Sequence, residues 1–195
     1  MTFESRNIFI LVSVHPALRF KLEQLLDLLR LRGEDILLTS GYRSIAEQNV
    51  LYAKGRTTGG TIVTNAKGGS SLHNYGLAVD FCPVGPLGFE LKGKLEWTAT
   101  KRYEAIGKLA KSIGLEWGGD WKQADRPHLQ LSEGLTIAQL KKGQRPDSLK
   151  SLKRLKEYYQ RQIDNAKRAM PKVDFTRKYE LQYFIDEITE KLNQL

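Results

Sequence analysis

The chain has 195 residues, 41% of them hydrophobic and 27% charged, a balance that fits one globular domain with at most a small appendage and excludes disorder. Its formal net charge of +9 fits either an anionic partner such as an acidic cell envelope, a membrane surface or nucleic acid, or lysines that simply keep the surface soluble. One cysteine, Cys82, excludes an internal disulfide framework, and no stretch approaches the roughly 20 apolar residues of a membrane span.

Met1 to Val14 holds only the short apolar run Ile8 to Val12, with Glu4 and Arg6 before it and no small-residue cleavage site after it. No signal peptide is therefore expected, and synthesis in the cytoplasm is. Pro16 to Arg32 has helical periodicity, with Gly33 as its stop. Asp35 to Ser40 reads as a strand running into the loop Gly41-Tyr42-Arg43. Ser44 to Lys54 opens on Ser44 with Glu47 three residues on, the capping-box pattern of a helix, and Gly55 ends it. Arg56 to Gly69 is a Gly-, Thr- and Asn-rich loop with a short extended piece at Thr61 to Thr64.

Gly76 to Cys82 reads as a strand, and Thr100 to Ile113 as a helix with Ile106, Leu109, Ala110 and Ile113 on one face. Trp117 to Trp121 is a glycine-hinged loop, and Pro127 to Leu131 a short strand that tolerates proline at its first position. Helices and strands mix without βαβ regularity, so the predicted class is α+β. The composition shifts after Pro146. Leu149, Leu152, Leu155, Tyr159, Ile163, Ala166 and Met170 recur in steps of three and four, Pro171 interrupts, and Phe175 to Leu192 is amphipathic again. This pattern predicts a helical hairpin, hence a division into residues 1–146 and 147–195. The hairpin holds 11 Lys+Arg against 8 Asp+Glu, a net of +3 that leaves +6 on the remainder. Basic charge spread in this way argues against a dedicated nucleic-acid arm.

The chemistry centres on two short stretches. Asp80 lies in the apolar run Leu77 to Phe81, where a buried carboxylate is costly unless paired. His73 precedes it by seven residues, roughly 23 Å of straight strand, whereas two donor atoms on one metal ion lie about 3–3.5 Å apart. The chain must reverse between them, and Asn74-Tyr75-Gly76 is turn chemistry. His128, which alternates with Leu129 along its strand, would complete a set of two imidazoles and a carboxylate with a position left for water, the catalytic form of a zinc site. Asp125 stands three residues earlier across a proline turn, placed to take a proton from that water. On spacing alone, the same residues also fit ordinary surface and core roles.

Ser71-Leu-His73-Asn-Tyr-Gly76-Leu-Ala78-Val-Asp80 resembles the SxHxxGxAxD motif of the VanX/VanY-type zinc peptidases of peptidoglycan. Asp125-Arg-Pro-His128-Leu-Gln130 is similar to the L-alanyl-D-glutamate endopeptidase branch of that family, where the dipeptidases and carboxypeptidases carry Glu-x-x-His instead. Thr39 to Ser44, Glu47-Gln48, Leu51-Tyr52, Gly55 to Thr57, Trp117 to Trp121 and Gly134 to Leu140 agree, so the resemblance covers about residues 10–146. It implies a small antiparallel sheet flanked by helices, the D-Ala-D-Ala peptidase/Hedgehog-like fold. It also implies Zn2+ on His73, Asp80 and His128, with Asp125 as general base. Arg43 would stabilise an oxyanion or hold a substrate carboxylate. Gln48, Ser71, Gln130 and Trp121 would contact substrate or support the groups that do. His15 and Cys82 read as structural residues.

The expected function is zinc-dependent hydrolysis of the peptidoglycan stem peptide between L-Ala and D-Glu. The expected setting is a monomeric phage or prophage endolysin that reaches the wall once the inner membrane is breached. Its basic surface would meet the anionic envelope, and no specific nucleic acid is expected. The alternatives are a D,D-carboxypeptidase on the same scaffold and a catalytically silent wall-binding protein. The hairpin, beyond the resemblance, would pack on the catalytic domain or bind the wall.

Overall fold

Asn7 explains why the N-terminal segment is ordered. In the computed structural model, which describes residues 3–85, 94–193 and 195, Phe3–Ser13 is a helix, α1, and Asn7 is buried in its middle. Its Nδ2 donates to Ile36 O at 3.0 Å, and its Oδ1 accepts from Leu38 N at 2.7 Å. Both backbone groups belong to strand β1 (Asp35–Ser40), the edge of the sheet. A side-chain amide thus satisfies an edge that would otherwise be free to pair with another chain. The apolar run within Met1 to Val14 is therefore helical, with Ile10, Leu11 and Val14 buried.

Helix α2 (Pro16–Arg30) starts where His15 Nδ1 accepts from Ala17 N, with Pro16 in the first turn, where a missing N–H is harmless. Its Leu18, Leu22 and Leu25 are fully buried, each stabilising by about 1.5–3 kcal/mol. Helix α3 (Ile45–Ala53) carries the expected capping box between Ser44 and Glu47. The other helices of the first compact unit, Met1–Pro146, are α4 (Thr100–Ser112) and α5 (Ile137–Lys141).

With β2 (Ala78–Val84), β3 (Glu116–Trp117) and β4 (His128–Gln130), β1 forms one antiparallel sheet in the order β1-β2-β4-β3. Strand alternation sorts its residues between two faces, except that a bulge between Leu38 and Ser40 carries Ser40 across to the face of Asp80. Ile36, Leu38, Val79, Phe81, Leu129 and Trp117 join the core with α2 and α4. Ser40, Asp80, His128, Gln130 and Glu116 lie on the opposite face, linked by the pairs Ser40↔Asp80, Asp80↔His128 and Glu116↔Gln130.

Three details depart from the sequence-based expectation. β2 begins at Ala78 rather than Gly76, because Gly76 still closes a turn, and it runs through Pro83 to Val84. Phe81 N donates to Pro127 O; the missing N–H of Pro83 falls on that same side, past the end of β4. Thr61 to Thr64 lies in the expected loop, which Arg56 holds through its Nη1, donating to Tyr52 O and Thr64 O at 2.7 and 2.9 Å. Trp117 belongs to β3, with a 3-10 turn following at Gly118–Asp120.

The second unit, Asp147–Leu195, is a hairpin of α6 (Ser148–Ala169) and α7 (Phe175–Asn193). Asp147 caps α6 by accepting from Lys150 N at 2.9 Å. Leu155, Tyr159, Ile163 and Ala166 are buried on α6, and Ile185 and Ile188 on α7. Leu149 departs from the predicted stripe: it is 81% exposed, while Ser151 is buried with its hydroxyl on Asp147 O. No helix among the described residues is long and apolar enough to cross a membrane.

Candidate metal centre

His73 is delivered by a 3-10 turn, Leu72–Tyr75, that reverses the chain before β2. Ser71 Oγ accepts from His73 N at 3.4 Å, so Ser71 caps the turn and does not touch the imidazole through this bond. Gly76 ends the turn at φ +67°, and a Cβ there would lie 2.9 Å from His15 N. Both the left-handed backbone and the close approach demand glycine.

Asn74 then stitches the turn to the loop after β1. Its Oδ1 accepts from Gly69 N at 2.9 Å, and its Nδ2 donates to Arg43 O at 2.8 Å. Arg43 N donates to His73 O. The His73 Nδ1 lies 2.8 Å from Gly41 O, which places a proton on Nδ1 and leaves Nε2 free to donate a lone pair.

That Nε2 lies 3.4 Å from Asp80 Oδ1, and His128 Nδ1 approaches the same oxygen at 3.3 Å. The donor atoms of His73, Asp80 and His128 all fall within 4.8 Å of one another. Each imidazole has its other nitrogen engaged, His73 by Gly41 O and His128 by Gln130 Oε1 at 3.0 Å. Two nitrogen lone pairs and a carboxylate therefore converge, a donor set that fits a divalent transition metal. Burial opposes the charge on Asp80, yet the adjacent His128 and His73 imidazoles favour its charged form and hold its carboxyl well below the usual carboxylate range.

Asp125 reaches the cluster through the tight packing of its turn. Its N donates to Gly118 O, and His128 N donates back to Asp125 O at 3.1 Å. A Cβ on Gly118 would meet Asp125 O at 2.5 Å and His128 Cβ at 3.0 Å, so the approach requires glycine. The Asp125 carboxylate accepts no hydrogen bond among the described residues. Partial loss of water around it, helped by the nearby Asp80 charge, raises its pKa above the ordinary aspartate value. Arg126 O accepts from Trp117 Nε1 at 2.8 Å and fixes the same turn.

The remaining sequence-selected residues divide between support and surface. Arg43 donates to Gln48 Oε1 at 2.9 Å and to Ser40 Oγ at 2.8 Å, and its Nη2 lies 3.5 Å from Asp80 Oδ2. Gln48 is wholly buried, its amide also donating to Ala66 O at 2.8 Å, so it acts on Arg43 and the 56–69 loop rather than on solvent. Gln130 faces His128, while the 42% exposed Trp121 sets its ring 4.9 Å from the His128 ring. Cys82 is buried and contributes no donor to the metal-ligand group. Sequence reasoning did not single out Asn74, Ser40, Gly41 or Glu116. Asn74 was recoverable, since Ser71 and Asn74 form a capping box at the spacing of Ser44 and Glu47.

Residues 64–131 match a peptidase M15 family model described as D-alanyl-D-alanine carboxypeptidase. The peptidoglycan L-alanyl-D-glutamate endopeptidase CwlK of Bacillus subtilis (strain 168) is 39% identical over 128 residues, covering 60% of this chain and 73% of the relative. The crystal structure of the L-Ala D-Glu endopeptidase ChiX of Serratia marcescens aligns with a TM-score of 0.46 at 26% identity, over 65% of this chain and 86% of that one. By its identity to CwlK and the share of that relative it covers, the chain belongs to the M15 family of metallopeptidases.

Proposed function

We propose that the protein is a zinc-dependent peptidase that cleaves the L-Ala–D-Glu bond of peptidoglycan stem peptides, in the setting of a phage or prophage endolysin. The observation that carries this reading is the convergence of His73 Nε2, Asp80 Oδ1 and His128 Nδ1 beside the Asp125 turn. The L-alanyl-D-glutamate endopeptidase relative supports the choice of bond.

Zinc held by these three residues would supply a Lewis acid for the scissile carbonyl and an attacking water active near neutral pH. Asp125 accepts the proton of the attacking water on its carboxylate and returns it to the leaving D-Glu amine. Its raised pKa makes the carboxylate a stronger base for that acceptance. Arg43, fixed by Gln48 and Ser40, presents a permanent positive charge beside Asp80 where the carbonyl oxygen gains negative charge or a stem carboxylate docks. Trp121 supplies an apolar wall over His128.

Residues 1–146 carry this chemistry, and residues 147–195 serve as an accessory. Exposed Lys150, Lys153, Arg154, Lys156 and Arg161 on α6 suit an anionic envelope. The enzyme is made in the cytoplasm and reaches its substrate after the membrane is breached. The family model's description favours one rival, a D,D-carboxypeptidase. Product analysis separates the two. Digested peptidoglycan should release peptides with a new D-Glu amino terminus, detected by amine labelling and mass spectrometry. Free D-Ala as the sole product would move the protein to the rival reading, and no product at all would make it a binding protein.

A further inference from the structure

His128 enters the metal-ligand cluster through Nδ1 and turns Nε2 toward Gln130 Oε1, 3.0 Å away. A neutral imidazole can offer a lone pair from Nδ1 only when its proton sits on Nε2. That proton is secured if the amide of Gln130 presents its oxygen. Rotated by half a turn, the same amide would present N–H groups and favour the tautomer with its proton aimed at the ion. Nothing in Gln130 itself selects one orientation over the other.

Glu116 does. Gln130 Nε2 donates to Glu116 Oε2 at 2.7 Å, and an ionised carboxylate can only accept. Its other oxygen, Oε1, accepts from Ser132 N at 3.1 Å and from the Ser132 hydroxyl, so the carboxylate is held from behind. The sheet register imposes this order. Glu116 is directly opposite Gln130 across β3–β4, and His128 is directly opposite Asp80 across β2–β4. The four side chains form one row on one face. The row runs from Glu116 through Gln130 and His128 to Asp80, with Ser132 bonded behind Glu116, and the direction of each donor from Ser132 to His128 is set by its neighbour.

We propose that Glu116 is a positioning residue of the metal centre: it fixes the Gln130 amide so that His128 keeps its proton on Nε2 and its Nδ1 lone pair faces the ion. This inference rests on the zinc reading above. Glu116 is exposed, so water can partly replace it. The expected effect therefore lies near the lower end of the 10–100-fold that partners of metal-binding histidines typically contribute.

The test is zinc affinity, read without substrate by titrating Zn2+ into the metal-free full-length chain against a chromogenic chelator. Glu116→Ala should weaken binding by about 10-fold, and His128→Ala should weaken it much further. The exchange E116Q/Q130E keeps the order of donors and acceptors. The carboxylate at position 130 accepts from His128, while the amide at position 116 donates to it and accepts from Ser132. Parental affinity should return in the exchange, as it would not if Glu116 only stiffened the sheet. Unchanged affinity in Glu116→Ala, or an exchange no tighter than Glu116→Ala, overturns the proposal. Should Glu116→Ala not fold, a folded exchange that binds zinc more weakly than the parent overturns it equally. A parent that binds no zinc overturns the zinc reading itself, which is a distinct failure.

Discussion

Replacing Gln48 with leucine is predicted to loosen Arg43 and the 56–69 loop together, because the buried amide joins them. Its Oε1 accepts the charge-assisted bond from Arg43 and its Nε2 donates to Ala66 O. Loss of a hydrogen bond to a charged group costs about 1.5–3 kcal/mol. The half-buried Ala66 carbonyl can turn toward water, which limits its penalty to about 1 kcal/mol. Burying leucine in place of the amide returns about 1 kcal/mol. The net loss is then about 1.5–3 kcal/mol, or roughly 4–10 °C in melting temperature for a domain of this size. Arg43 keeps Ser40 and its place near Asp80, so peptidase activity should fall without vanishing. Urea unfolding and kcat/KM on a soluble stem peptide measure the two effects. A variant with the parental unfolding midpoint and parental kcat/KM would refute the reasoning, because a wholly buried amide would then be contributing to neither.

Three further perturbations test separate parts of the structure. Asp125→Asn should retain the metal and lose about 10²–10⁴-fold in rate, the usual contribution of a positioned acid–base group; metal loss on elemental analysis would instead make Asp125 a ligand. His15→Ala removes the α2 cap and should cost about 1 kcal/mol in unfolding free energy while leaving metal content intact, so a metal-depleted variant would contradict a purely structural role. Burial opposes the Glu116 charge, but hydrogen bonds from Ser132 and Gln130 prevail and lower its pKa from the ordinary glutamate value. Its contribution to stability is therefore present above the unfolded pKa and lost as pH falls through the folded one. A carboxyl-carbon NMR titration with its midpoint at or above that of an unstructured glutamate would contradict this balance.

Much of this fold was legible because its signals are local. The Ser44/Glu47 capping box, the periodicity of α2, α4 and α6, and the turn chemistry of Asn74 to Gly76 each act within a few residues. The helix α1 was not legible, since its ordering depends on Asn7 finding Ile36 and Leu38 about thirty positions away. Leu149 shows the converse: helical spacing names an edge position that the fold leaves exposed. At the candidate site, spacing required the chain to reverse between His73 and Asp80, but only strand register reveals that Asp80 faces His128 and that Gln130 faces Glu116. Gln48 was legible as important and not as buried, because its partners Arg43 and Ala66 approach from different segments.

Zinc-edge X-ray absorption and anomalous diffraction from the metal-loaded full-length protein test the central claim most directly. A single zinc should be found bound by His73 Nε2, Asp80 and His128 Nδ1, with only nitrogen and oxygen neighbours. Zinc bound elsewhere, a sulfur neighbour from Cys82, or coordination of His128 through Nε2 would contradict the account.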